Sequence, residues 1–505
     1  MRCRSLTVRH FAIGAALAAV VLGCGKPRPA PRSQASSDGH ETWDAVYLQE
    51  NQVGYVHVVE RVKKKEETSL IETKADMAMS MKRAGQPISI QTTRQCVEDS
   101  EGRLISFREE QQLGPSTGVT SGQVENGKLV ITTTDGEHTR TRQIEFPTDA
   151  GGPFAPEHSL RRQPMKPGEN RSIRFFDPMV GAMATETLDA KDYEQIKLLD
   201  GNQKLLHIAS SLAIEGQPQP IRGVRWTDAD GETLKAEVPG MKQVTYRTTK
   251  EQATSSQDEP AFDVFRETLV KLPKPFDEAR KTRRVRYAVE LPEGDPTAVF
   301  SVGPTQHVKS TGEHTAEITV ISLDPLAPPR EGGTASAEDR DPNSFIQSDD
   351  PKIVEMAQEA VGGRASPGEI AVALEEFVSR KMTAKRNYST AFATAADVAR
   401  TLEGDCTEHA VLLAALARAS GIPARVAIGL VYSPKDRGFA YHMWTEMLLK
   451  GGCWVPLDAT LGEGRISADH LKLADSNLAD RAGLASFLPM VEVLGQLKIE
   501  VLEAK

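Results

Sequence analysis

Cysteine is scarce in this chain, five in 505 residues, and basic residues are outnumbered, 61 Lys and Arg against 70 Asp and Glu, for a formal net charge of −9. With that balance and no long basic stripe the chain lacks the electrostatic footprint of a nucleic-acid binder, so nucleic acid is not expected among its partners. No apolar run is long enough to span a bilayer, and no internal repeat points to a solenoid. What is there is the composition of a soluble globular protein, 39% hydrophobic and 26% charged. The length suggests about three domains at roughly 150 residues each.

The first 24 residues differ in kind. Arg2, Arg4 and Arg9 precede an apolar stretch from Phe11 to Leu22 without an acidic residue, the pattern of an export signal. The stretch closes on Val21-Leu22-Gly23-Cys24, which resembles the lipobox of bacterial lipoproteins, with Cys24 as the lipidated first residue of the mature chain. The expectation is a protein exported and lipid-anchored to a bacterial membrane, facing periplasm or cell surface, with residues 25–41 as a disordered Pro/Ser-rich tether. Cys3 then leaves with the signal and Cys24 carries lipid. Cys96, Cys406 and Cys453 remain, an odd number that excludes a closed disulfide framework. In an oxidising compartment an unpaired thiol must be buried or used.

From residue 42 to about 250, short alternating runs such as VGYVHVVERV, PISIQTTRQCV and KLVITTT predict antiparallel strands. Turn signals at Asp99–Gly102, Asn126-Gly127, Asp135-Gly136, Gly201-Asn202 and Asp228–Gly231 separate them. Asp228-Ala229-Asp230-Gly231 imitates the start of a calcium loop, but no Glu follows at EF-hand spacing and a hairpin is expected instead. Cys96 alternates with polar neighbours and reads as a buried core thiol. Residues 251–344 hold a second, smaller β unit (RRVRYAVEL, TAVFSV, TAEITVISL) and a Pro/Gly-rich linker.

After Phe345 the period becomes helical, with Asp349 or Asp350 and Ser366 as N-caps before DPKIVEMAQEAV and PGEIAVALEEFVSRKM. A third domain, 345–505, begins there. Between Ala410 and Ala419 only Arg418 is charged, so this helix must be central to its domain. Cys406 stands at its head, where unpaired N–H groups and the helix dipole favour negative charge and therefore a nucleophilic thiolate. A thiolate performing acyl transfer needs a base and a group that orients the base. Three strands follow, at 424–434, 439–450 and 453–462. If Lys450-Gly451-Gly452 form the hairpin loop, Leu449 faces Cys453, and His442 lies diagonal to Asp458 on the same face. Cys453 then points away from His442.

The ordered motifs GDCTEHA, GIPARV, YHMWTE and WVPLDAT resemble those of the transglutaminase-like superfamily, whose core is similar to that of papain-type cysteine proteases. The resemblance covers about a quarter of the chain, roughly Phe345 to Gly464. It implies Cys406 as nucleophile, His442 as general base and acid, and Asp458 as the group orienting the imidazole, acting on amide bonds of a protein or peptide substrate with no cofactor. Tyr441, where many relatives carry Gly, and Met443 restrict access to the imidazole. His409, Tyr441 and Trp444 are candidates for the substrate cleft or its supporting shell. For the oxyanion the Cys406 backbone N–H needs a second donor, for which Arg386-Asn387-Tyr388 is the suggested segment.

Two other readings stay open. Cys406, His409, His442 and Cys453 are residue types that bind zinc, although strand parity aims Cys453 the wrong way and no metal is expected. The domain could also be a catalytically inactive binding module of a surface assembly. The fold class expected is α+β and multidomain, two β-rich antiparallel domains followed by a papain-like, transglutaminase-like α+β domain. Hydrolase and transamidase are not separated by the sequence.

Overall fold

The computed structural model describes residues 39–65, 68–83, 86–112, 117–135, 138–215, 220–255, 262–384, 393–479 and 495–505. Cys24, with the export segment, and Arg386-Asn387-Tyr388 lie outside them. The chain is an α+β multidomain protein with two compact units, one ending at Asp263 and one running from Val264 to Lys505.

In the first unit fourteen strands, β1 (His40–Leu48) through β14 (Gln243–Thr248), form one antiparallel sheet in the order 8-7-6-5-4-3-2-1-14-13-12-11-10-9. Consecutive strands pair except β8 and β9, which form the two edges, and β1 pairs β14, Trp43 opposite Thr248 and Leu48 opposite Gln243. β1 begins at His40, inside the stretch expected to be a tether. The tight turns follow the sequence signals: Asn126 and Gly127 both adopt positive φ, 51° and 77°, as a two-residue hairpin turn requires. The Asp228 carboxylate accepts the N–H groups of Asp230 and Glu232 at 3.0 and 2.9 Å, so this segment is a side-chain-stabilised turn.

Cys96 is buried, 2% exposed. Polarity alternation alone misreads several of its neighbours, because inward positions also carry charge. Glu109 of β5 (Leu104–Gln112) is buried and meets Arg94 at 2.6 Å. Helix α1 (Ala155–Arg162) buries Glu157 and His158. Arg225 pairs with Glu157 and, at 2.5 Å, with Glu186; His158 bridges Glu98 at 2.5 Å and Glu60 at 3.0 Å. Buried ion pairs of this kind contribute little net stability over apolar replacements, but losing one partner strands the other.

After a short helical turn at Val264–Glu267, the first strands of the second unit are β15 (Val270–Lys271), β16 (Arg284–Glu290), β17 (Gln306–Gly312) and β18 (Thr315–Ile321). Helices α2 (Pro351–Val361), α3 (Pro367–Lys381), α4 (Ala395–Thr401) and α5 (Cys406–Ala419) follow, with the short parallel pair β19 (Thr383–Ala384) and β20 (Glu403–Gly404) between them. Last come β21 (Ala424–Ser433), β22 (Gly438–Leu449), β23 (Cys453–Leu457), β24 (His470–Ser476) and β25 (Lys498–Ala504). One sheet has the order β15-β22-β21-β24, with β23 also on β22; the other has the order β17-β18-β16-β25.

These two sheets share a core in which Val285, Tyr287, Ile318 and Ile499 pack with Leu430, Tyr432, Phe439 and Leu471. The strands read as a separate small β unit at 251–344 therefore lie in the same compact unit as 345–505. Alternation marks an apolar strand face but not what that face packs against. Asp350 caps α2, its carboxylate accepting the Lys352 N–H at 2.8 Å. Ser366 occupies the N-cap of α3 without a side-chain capping bond, Pro367 supplying the fixed φ of the first turn. Helix α5 is buried from Cys406 to Arg418, and Arg418 spends its charge on the carbonyls of Ala424, Asp341 and Asn477.

Candidate active site

The head of α5 is built by a capping box. Asp405 accepts the Thr407 N–H at 3.0 Å and Glu408 reaches back to the Asp405 N–H at 2.9 Å, fixing the first turn with Cys406 as its first residue. At Gly404 a Cβ would lie 2.3 Å from that of Glu408, so only glycine lets the chain enter the helix this tightly. Cys406 is 9% exposed.

His442 lies mid-strand in β22, opposite Gly429 of β21, with its side chain 8% exposed. The Lys450-Gly451-Gly452 loop uses positive φ at both glycines, 91° and 73°, and pairs Leu449 with Cys453 and Thr445 with Leu457. β23 ends there, five residues earlier than the expected strand, and Asp458 turns the chain away, its carbonyl accepting the N–H groups of Leu461 and Gly462. Its carboxylate Oδ2 lies 2.7 Å from His442 Nε2 while Oδ1 accepts the Thr460 N–H at 2.9 Å. Cys406 and His442 are hydrogen-bonded through their side chains. The structure thus brings Cys406, His442 and Asp458 together.

The electrostatics follow from burial and charge. Burial opposes an imidazolium at His442, but the charges of Asp458 and Cys406 and hydrogen bonds from both outweigh it, and the ring is pushed up to about 10. Burial likewise opposes ionisation of Asp458, yet the His442 charge and hydrogen bonds from His442 and His470 hold its carboxyl well below the usual carboxylate range. His409 is lowered by burial; its Nδ1 donates to the Asp405 carbonyl at 2.6 Å, which orients the ring one turn into α5. Trp444 is buried, its ring stacked at 6.3 Å from that of His442 and edge-on at 5.3 Å to that of His470. Tyr441, next to His442 and so on the other face of β22, packs against the core shared by the two sheets.

His470 and Asp469 lie beyond Gly464, where the family resemblance ends, and are not among the residues the sequence singles out. Their only local signal is an Asp-His pair opening an alternating run, LKLADS. Residues 458–469 pass from β23 on one side of β22 to β24 on the far side of β21, and this crossing sets His470 Nε2 3.3 Å from Asp458 Oδ2. His442, Asp458 and His470 offer ligand atoms all within 4.8 Å of one another. Cys453 is fully buried at the other end of β23, paired with Leu449, so the set Cys406, His409, His442 and Cys453 does not converge as a metal site.

Residues 354–459 match the family model of the transglutaminase-like superfamily. No curated protein matches the chain. Among solved structures, a candidate cysteine protease from Cytophaga hutchinsonii aligns at 17% identity over 44% of this chain and 81% of its own, with a TM-score of 0.29. A β-barrel-like protein of a domain of unknown function from Brucella abortus aligns at 10% identity over 42% of this chain and 95% of its own, TM-score 0.31. A candidate protease from Parabacteroides distasonis aligns at 11% identity over 68% of this chain and 64% of its own, TM-score 0.18.

Proposed function

We propose that the second unit is a cysteine-nucleophile acyl-transfer enzyme acting on amide bonds of a protein or peptide. The observation that carries this reading is the placement of one carboxylate, one imidazole and one thiol in hydrogen-bonded series at the head of a buried helix, within the segment that matches the transglutaminase-like superfamily. His442, with Nε2 committed to Asp458, presents its other ring nitrogen to Cys406. The thiolate attacks the substrate carbonyl carbon, and the tetrahedral oxyanion is met by the Cys406 backbone N–H at the helix head. As the C–N bond breaks, the imidazolium gives its proton to the departing amine, leaving a thioester on Cys406 and neutral His442. His442 then takes a proton from water or from a second amine as it attacks the thioester, and returns that proton to the thiolate. Asp458 keeps the ring oriented and stabilises its charge throughout without accepting the proton.

Water is the favoured second nucleophile, because no feature among the described residues visibly excludes it. The Arg-rich apolar leader ending at Cys24 supports export and a lipid anchor for this enzyme, testable as detergent partitioning and acyl mass on a mature chain starting at Cys24. The enzymatic reading is tested by incubating the full chain with a glutamine-containing peptide mixture, with and without a fluorescent primary amine. Wild type should release ammonia or peptide fragments, or incorporate the amine, and Cys406→Ala should do none of these. Equal activity in the variant refutes the assignment.

A further inference from the structure

Asp458 Oδ2 receives two histidine nitrogens, His442 Nε2 at 2.7 Å and His470 Nε2 at 3.3 Å, and the second is not required by the reaction above. His470 has its other nitrogen, Nδ1, 2.8 Å from Asp469 Oδ1. Asp469 is fully buried and is held in turn by the Ser467 hydroxyl at 2.9 Å and by Arg280, whose Nη1 lies 2.9 Å from Oδ2. An ionised carboxylate only accepts, so a ring bonded to carboxylates through both nitrogens satisfies both contacts only as an imidazolium. Tyr287, from the neighbouring sheet, donates its hydroxyl to the Ala468 carbonyl at 2.8 Å and fixes the chain just before this pair.

Resting on the reading of Cys406 and His442 as an active pair, we propose that His470 is a positioning residue: a second imidazolium, anchored through Asp469 to Arg280, that pins the shared oxygen of Asp458 and limits how basic His442 becomes. Each part has a physical cause. A carboxylate held by one histidine can rotate about its Cβ–Cγ bond; one held by two rings and the Thr460 N–H cannot. The His442 and His470 ring centroids are 5.9 Å apart. At an effective dielectric of about 20, like charges at that separation depress each other's proton affinity by about two pH units. The general acid of the reaction must give its proton to the leaving amine, and an imidazolium stabilised by Asp458 and the thiolate alone would hold it too tightly.

The other titratable groups facing the two rings leave the sign unchanged. Cys406 and His409 face His442 from α5, with burial opposing a charge on His409. Glu463, from the crossing segment, and Asp469 face His470. Glu375 of α3 acts on Asp458, and its own carboxyl, buried and accepting the Gly464 N–H at 3.0 Å, is raised to about 7. None of these supplies a positive charge in place of His470.

The test is the pH dependence of Cys406 alkylation by iodoacetate in the full chain. The reagent is an anion that reacts fastest while His442 is protonated, so its rate falls where that proton is lost. Wild type should slow at least threefold between pH 8 and pH 11. In His470→Gln the fall should shift upward by about two pH units, leaving the rate at pH 11 close to that at pH 8. Asp469→Asn, which removes the anchor and discharges the ring, should move the fall in the same direction by a smaller step, and it serves if His470→Gln does not fold. A fall unmoved in both folded variants, in a protein where His442→Ala abolishes it, overturns the role of His470 and leaves the Cys406–His442 pair standing. A fall that persists in His442→Ala overturns the pair itself. Stoichiometric zinc whose chelation releases alkylation in wild type also overturns the proposal, since His470 would then be a ligand.

Discussion

Replacing Asp458 by Asn removes one charge and almost no volume, so it isolates what the carboxylate contributes. Burial opposes a charge on His442, Asp458 is the largest of the groups that raise it, and the net rise from 6.5 to about 10 corresponds to about 5 kcal/mol left after burial is overcome by Asp458 and Cys406. Both side chains of the pair are nearly fully buried, 8% and 3% exposed, so solvent screening takes away little. The expected loss in Asp458→Asn is about 3 to 5 kcal/mol, the range for breaking a buried ion pair from one side. Its pH dependence has a definite sign. A histidine raised in the folded state contributes stability that is complete below its unfolded value of about 6.5 and lost as pH rises through about 10. A carboxyl lowered in the folded state contributes stability that is complete above its unfolded value of about 3.9 and lost at lower pH. Wild type and variant should therefore differ most between about pH 4 and 6.5, and the difference should narrow as pH rises through about 10 and His442 loses its proton. Pulsed alkylation of Cys453 across a urea series reads this in the right place, because that thiol is fully buried in the second unit and becomes reactive only when the unit opens. A difference that stays constant from pH 5 to pH 10.5 would refute the electrostatic account and leave Asp458 as a packing residue.

Two structural variants probe the frame around the site. In Gly429→Ala the new Cβ would meet the Leu471 carbonyl at 2.0 Å and the Trp444 ring at 2.7 Å, so β21 and β24 must separate beside His470. The urea midpoint should fall by the equivalent of about 1 to 3 kcal/mol, and an unchanged midpoint would contradict the close approach. Arg418→Met keeps the apolar stem of the side chain but removes the guanidinium from the Ala424 and Asp341 carbonyls and from that of Asn477, which keeps only the Asn343 amide, at a cost of about 3 kcal/mol or more. Thermal unfolding of this variant should begin well below that of wild type, and equal melting would mean that water replaces the guanidinium.

The parts of the site legible in the sequence are those determined within a few residues. Cys406 stands at a legible helix start because the apolar run behind it is local, whereas the Asp405–Glu408 capping box that fixes the first turn appears only in the structure. Leu449 facing Cys453 follows from a turn whose glycines permit only some loop geometries. His470 was illegible for the opposite reason: it reaches Asp458 only because β24 crosses to the far side of β21, a pairing between segments some forty residues apart that alternation does not encode. The charged interior of the first unit is a similar case. Glu109 and Glu186 look like solvent-facing residues until Arg94 and Arg225 are seen opposite them. The joining of residues 284–321 to the second unit depends on Tyr287 and Ile318 meeting Tyr432 and Leu471, contacts made by shape rather than by pattern.

The pairing of β25 with β16 sets an order of events for the growing polypeptide. Arg286 and Glu503, in contact across the two strands, are 217 residues apart in sequence, and the sheet between them closes only after the later strand has been synthesised. Until then β16 is an edge, with the Val285 and Val289 faces beside it incompletely covered, and the loop-closure entropy for the join is paid last. Tyr287, in the middle of β16, holds the Ala468 carbonyl immediately before Asp469 and His470. A fragment trimmed to 354–459 would carry Cys406, His442 and Asp458 yet lack the strands, the tyrosine and the second histidine that hold them in register, so a thiol liberated on such a fragment reports on an unfinished protein.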